Sequence, residues 1–94
     1  MYRILSKLTL TPVTTEYVIE APEIARKAKA GQFVILRITE EGERIPLTIA
    51  DYDARGGTIT VVVQELGKTT RQLGTFEAGD SLASFTGPLG HPTE

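Results

Sequence analysis

The sequence predicts an all-β domain: a six-stranded antiparallel Greek-key barrel with one or two short helices. Three observations carry that prediction. Apolar and polar residues alternate with period two through most of the chain. Clusters of Gly, Pro, Asp and Glu punctuate it at short spacing, as in hairpin-rich proteins. Only two short segments carry helix start and stop signals. Closure into a barrel would also protect the strand edges that a short β-rich chain otherwise exposes. The 94 residues suffice for one domain, and residues 1–94 are read as a single one.

Taken in order, residues 2–10 read as a first strand with Ile4, Leu8 and Leu10 on one face, interrupted by Pro12. Residues 14–20, β-branched and containing Tyr17, read as a second. Residues 21–28 place Pro22 at a first helical position, Glu23 in the first turn and Arg26 and Lys27 in the last, an order that suits the helix dipole. Gly31 ends that helix and residues 32–39 form the third strand. Residues 44–53 form the fourth; Pro46 lies inside it and cannot donate to a ladder, so this stretch is an edge, a bulge or a ligand-facing segment. After a turn at Ala54-Arg55-Gly56-Gly57, residues 58–64 read as a fifth strand buried on both faces. Residues 67–73 are the second helix, closed by Gly74; residues 81–86 are the sixth strand, and Gly87-Pro88-Leu89-Gly90 a tight turn.

Composition excludes many functions. Zero Cys removes thiolate catalysis and iron–sulfur ligation within this segment, and a single His, His91, argues against a histidine metal site or a Ser-His-Asp triad. The net charge of −2 and the lack of any long basic run argue against nucleic acid or an anionic membrane as partner. No apolar stretch reaches spanning length and the N-terminus lacks a signal-type apolar core, so the chain is read as cytoplasmic. With three Tyr, three Phe and no Trp, the core must rest on Val, Ile and Leu. What remains is binding.

Two constellations could bind, and a third, Gly87-Pro88-Leu89-Gly90, either brings backbone close to something flat or simply leads out of the domain. Arg44, Pro46 and Thr48 lie two apart, so in a strand they share a face: a guanidinium fork for phosphate, a flat apolar ring and a hydroxyl for a ring nitrogen or carbonyl. An edge strand with Arg in solvent and Pro blocking aggregation has the same pattern, and from spacing alone that reading is the stronger. Gly67-Lys68-Thr69-Thr70 opens the second helix, where free N–H groups favour anions, but helices commonly start this way. The carboxylates Asp51 and Asp53 are explained by turn bonding, and Glu40, Glu41 and Glu43 by a solvated tip.

In order along the chain, Ala30-Gly31-Gln32-Phe33-Val34, Arg44-Ile45-Pro46-Leu47-Thr48-Ile49-Ala50-Asp51, Val61-Val62-Val63-Gln64-Glu65-Leu66-Gly67-Lys68-Thr69-Thr70 and Gly87-Pro88-Leu89-Gly90 resemble a known family. The chain is similar to the N-terminal flavin domain of the ferredoxin–NADP reductase superfamily. Within it, the chain resembles the branch holding the small subunit of NADH-dependent ferredoxin–NADP oxidoreductase, also called sulfide dehydrogenase, and the electron-transfer subunit of dihydroorotate dehydrogenase. The resemblance implies FAD as cofactor, held by Arg44 and the Pro46, Leu47, Thr48 row, with Thr48 near the redox-active ring edge. It implies that Val62, Val63 and Gln64 touch the flavin or ribityl chain and that Gly67, Lys68, Thr69 and Thr70 receive the pyrophosphate. Full members continue into a Rossmann-like nicotinamide-nucleotide domain and a [2Fe–2S] segment, neither of which these residues contain; these parts, or a larger partner subunit, are the implied partners. The implied function is to pass electrons between NAD(P)H and an iron–sulfur or ferredoxin partner. By itself the chain is then a binding module without complete catalysis. A barrel used only for assembly, binding no flavin, is the alternative, since fold does not fix function.

Overall fold

The computed structural model describes residues 2–29, 31–65 and 67–90; Met1, Ala30, Leu66, His91 and residues 92–94 lie outside, as do the side chains of Lys68 and Thr69. The elements run β1 (Tyr2–Thr11), β2 (Thr14–Glu20), α1 (Pro22–Lys27), β3 (Phe33–Arg37), β4 (Ile45–Asp53), β5 (Thr58–Gln64), α2 (Lys68–Leu73), β6 (Ser81–Leu82) and β7 (Ser84–Leu89). The pairing order is β6-β1-β2-β5-β4-β3-β7, with every pair antiparallel. The link from β2 through α1 to β3 passes two intervening strands, the Greek-key step. Because β6 and β7 sit at opposite ends of the order yet adjoin in sequence, the sheet curls into a nearly closed barrel.

The described residues form seven strands, one more than the sequence predicts. The expected sixth strand is divided at Ala83. Ser81 and Leu82 pair with β1, whereas Ser84 to Leu89 pair with β3, and the Ala83 N–H donates to the Arg37 carbonyl at 3.1 Å at the change of partner. The expected turn at Gly87-Pro88-Leu89-Gly90 is instead mostly strand, since β7 runs to Leu89 through a cis Gly87–Pro88 bond.

Two burial expectations also fail, for identifiable reasons. Ile4 is fully buried, but Leu8 and Leu10 are 56% and 48% exposed. A register shift between Ile4 and Ser6 turns the side chains that follow, Leu8 among them, to the opposite face, and Leu10 falls within a second shift between Thr9 and Thr11. Lys7, opposite the buried Tyr17, takes the inward parity instead and is half-buried. In β5 burial alternates, with Val61 and Val63 inside and Val62 outside.

Ile4, Ile19, Val34, Leu36, Ile59, Val61 and Leu82 form the centre of the core, with Tyr17 its largest buried side chain. Helix α1 plugs one side by burying Ile24 and Ala25; it has Pro22 in its first turn and Arg26 and Lys27 in its last. Its entry is pinned by the Ala21 N–H donating to the Gly57 carbonyl at 2.8 Å.

Helix α2 hangs from the barrel by its C-terminal end, where carbonyls lack helical partners. The buried Tyr17 hydroxyl donates to the Leu73 carbonyl at 3.0 Å, and Lys7 Nζ donates to the Gly74 carbonyl at 2.8 Å. Lys7 also pairs with Glu77 at 3.3 Å. A cation at this end opposes the negative pole of the helix. Burial, with the charges of Glu65 and Glu77 adding to it, pushes the Tyr17 hydroxyl up to about 12. Among the described residues no helix is long and apolar enough to cross a membrane.

Candidate functional site

A groove of about 820 Å³ opens on the barrel wall between β4, β5 and the start of α2. Its cause lies in the pairing. β4 meets β5 only from Ile49 onward, while its first half, Ile45 to Thr48, pairs with β3. On the other side, Val62, Val63 and Gln64 pair only with β2. The two strands therefore part over this stretch and leave a seam. Pro46 lies on the parting half, where a residue without an N–H costs no ladder bond towards β5. A shift in register between Ile49 and Asp51 marks where the strands rejoin.

Splaying makes both faces of the strands available to the groove. Outward-facing Pro46, Thr48, Ala50, Val62 and Gln64 line it, and so do inward-facing Ile45, Leu47 and Val63 from the exposed seam. The result is an apolar slot with hydroxyl and amide groups at intervals. That composition suits a planar ligand with a few polar edges. Arg44 and Glu43 stand at one end, just before β4. Gly67 and Thr70 close the other side, where Gly67 caps α2. The Thr70 hydroxyl accepts from the Gly67 N–H at 3.0 Å and donates to the Gly67 carbonyl at 3.1 Å, so it rigidifies this corner of the groove.

Of the residues singled out from sequence, Arg44, Pro46, Leu47, Thr48, Val62, Val63, Gln64, Gly67 and Thr70 surround this one groove. Lys68 and Thr69 belong to the first turn of α2, but their side chains lie outside the described residues. Thr14, Glu43, Ile45 and Ala50 also line the groove and were not singled out. Ala50 continues the two-residue spacing of Pro46 and Thr48 and could have been found that way. Thr14 arrives through its pairing with Gln64, a contact with no local signal. Among the described residues no group of three or more His, Asp or Glu is placed to hold a metal ion. The groove offers an arginine, hydroxyls and apolar surface. It can bind and orient.

No family model matches the chain. Over all 94 residues it is 55% identical to an uncharacterized protein from the adh 3′ region of Clostridium beijerinckii. Over 91 residues, 97% of this chain, it is 40% identical to a dihydroorotate dehydrogenase B electron transfer subunit homolog of Thermotoga maritima. It spans 32% of each, about a third of the length of these relatives. Among solved structures, that of the NADH-dependent reduced ferredoxin-NADP oxidoreductase superposes with a TM-score of 0.96 at 38% identity, covering 100% of this chain and 34% of that one.

Proposed function

The barrel belongs to the ferredoxin–NADP reductase superfamily, and from that premise we propose that the groove is a flavin site taking FAD. The observation that carries the reading is the open β4–β5 seam, which gathers an arginine suited to phosphate, a planar apolar wall and a helix start around one cavity. Its volume of about 820 Å³ lies within the usual range for small-molecule and cofactor sites.

In this reading Pro46, Leu47 and Thr48 would hold the isoalloxazine, with Val62, Val63 and Gln64 against the flavin or ribityl chain. The Thr48 hydroxyl would stand near the redox-active ring edge. Arg44 would hold phosphate from one end of the groove, and the Gly67-Lys68-Thr69-Thr70 corner would receive the pyrophosphate from the other side. The flavin, when bound, supplies the hydride and electron chemistry; this chain contributes orientation, an apolar wall against solvent and charge neutralisation. No side chain of the groove is required as acid or base. Electron transfer between NAD(P)H and an iron–sulfur or ferredoxin partner then needs further domains or subunits, and the chain alone is a binding module.

Titration with FAD and with riboflavin, in the native chain and in Arg44→Ala, tests the reading. FAD affinity should fall roughly 10–100-fold and riboflavin affinity should hold, because charge-assisted bonds to phosphate contribute about 1.5–3 kcal/mol. Equal loss for both ligands would remove Arg44 from the phosphate role.

A further inference from the structure

Helix α2 is too short to hold itself. It has six residues, and isolated helices shorter than about 12–15 residues are marginal in water. Its stability must come from the barrel, yet Leu73 is its one buried side chain among the described residues. The remaining hold is polar and comes from two paired strands. From β2 the Tyr17 hydroxyl donates to the Leu73 carbonyl, and from β1 Lys7 Nζ donates to the Gly74 carbonyl. The register shift after Ile4 turns Lys7 inward and sets it opposite Tyr17, so the two donors stand side by side. Glu77 holds the Lys7 ammonium at 3.3 Å. The end of β5 packs against the same spot, since a Cβ on Gly74 would run into the Glu65 carboxylate. Gly74 has ordinary helical dihedrals, φ −60° and ψ −16°, so glycine serves clearance there and not conformation.

The other end of this helix is an edge of the groove, where Gly67 and Thr70 line the cavity. Inside α2 the Arg71 N–H donates to the Gly67 carbonyl at 3.0 Å and the Gly74 N–H to the Thr70 carbonyl at 3.1 Å. An unbroken series of hydrogen bonds therefore runs from Lys7 to Gly74, from Gly74 to Thr70 and from Thr70 to Gly67. Neither Lys7 nor Tyr17 lines the groove. Whatever they do for it, they do through α2.

We propose that Lys7 and Tyr17 are positioning residues of the groove: by clamping the last turn of α2 they fix where Gly67 and Thr70 stand. A ligand confined to the β4–β5 seam does not depend on the clamp, whereas one that reaches the α2 edge does. The choice of ligand rests on the flavin reading, in which the pyrophosphate of FAD reaches α2 and riboflavin ends short of it. The clamp itself rests only on the bonds above.

Two measurements test it in the native chain, Tyr17→Phe and Lys7→Met, which keep the ring and the aliphatic stem; either variant serves alone if the other fails to fold. Amide exchange followed by NMR without ligand should show Arg71 and Gly74 exchanging about fivefold faster in each variant. Titration with FAD and riboflavin should show FAD weakened by about fivefold or more and riboflavin unchanged, a split that general destabilisation does not produce. Unchanged exchange in α2 overturns the proposal. So does FAD affinity that is unaffected or falls equally with riboflavin, which would make both residues props of the fold alone. FAD selectivity lost in Arg44→Ala but kept in both clamp variants would leave the flavin reading standing and remove this one. A native chain that takes neither flavin would remove the flavin reading, and the exchange of Arg71 and Gly74 then decides whether the clamp holds the groove edge.

Discussion

Replacing Tyr17 with Phe separates the buried hydroxyl from the ring that carries it. The ring is 1% exposed and its packing survives the change, so the loss reduces to one hydrogen bond, the 3.0 Å donation to the Leu73 carbonyl. That carbonyl also accepts the Phe76 N–H at 2.9 Å and is not left without a partner. The cost should therefore lie near the low end of buried hydrogen bonds, about 1 kcal/mol, or roughly 4–8 °C in melting temperature for a domain of this size. Alkaline pH supplies a second, independent signature. The native hydroxyl titrates at about 12 against 10.0 for the ordinary group, so the folded state holds its proton where the unfolded chain releases it. Stability from this source is complete below about pH 10 and is lost as pH rises towards 12, by about 1.4 kcal/mol at pH 11. Tyr17→Phe has no such loss. Urea titrations of both proteins between pH 8 and pH 11 should show the native chain ahead by about 1 kcal/mol at the start and slightly behind the variant, by about 0.4 kcal/mol, at the end. Parallel curves across that range, or equal stability at pH 8, would refute the account of how α2 is held.

Other substitutions probe the barrel. A Cβ on Gly87 would meet Val34 Cγ1 at 2.9 Å and the Phe33 carbonyl oxygen at 3.2 Å. Val34 is fully buried and cannot swing away, so Gly87→Ala should lose about 1–3 kcal/mol by chemical denaturation; an unchanged midpoint would show that β7 does not pack as described. Leu8→Thr changes a side chain that the register shift turns outward and should stay within about 0.5 kcal/mol of the native chain. A loss of several kcal/mol there would mean that the shift is misplaced. Leu82→Ala, by contrast, empties a fully buried site at the barrel closure and should cost about 2–5 kcal/mol.

What was legible in the sequence was what is local. Period-two alternation and turn residues marked nearly every strand, and Pro22, Glu23, Arg26 and Lys27 marked α1 because capping and dipole effects act within a few residues. Asp53 was legible as a turn former, and its Oδ1 indeed accepts from the N–H groups of Arg55 and Gly56 at 3.0 and 2.9 Å. What escaped depends on distant partners. The shift after Ile4 has no glycine or proline to announce it, so Leu8 reads as core. The run Val61-Val62-Val63 lacks alternation and reads as buried on both faces, because only the open seam explains an exposed valine. Ala83 divides a strand because the barrel closes there, which no property of alanine foretells. The groove was legible as an ordered set of motifs, whereas Thr14, brought in by pairing with Gln64, was not.

The central claim is that the β4–β5 seam is a flavin site, and fluorescence titration of FAD with the purified chain, followed by a visible spectrum of the mixture, tests it most directly. The account predicts saturable quenching of flavin emission with a shifted absorption band, both weakened when a bulky side chain fills the seam, as in Ala50→Trp. Emission and absorption identical to free FAD up to high micromolar protein would contradict it and leave the barrel as a scaffold.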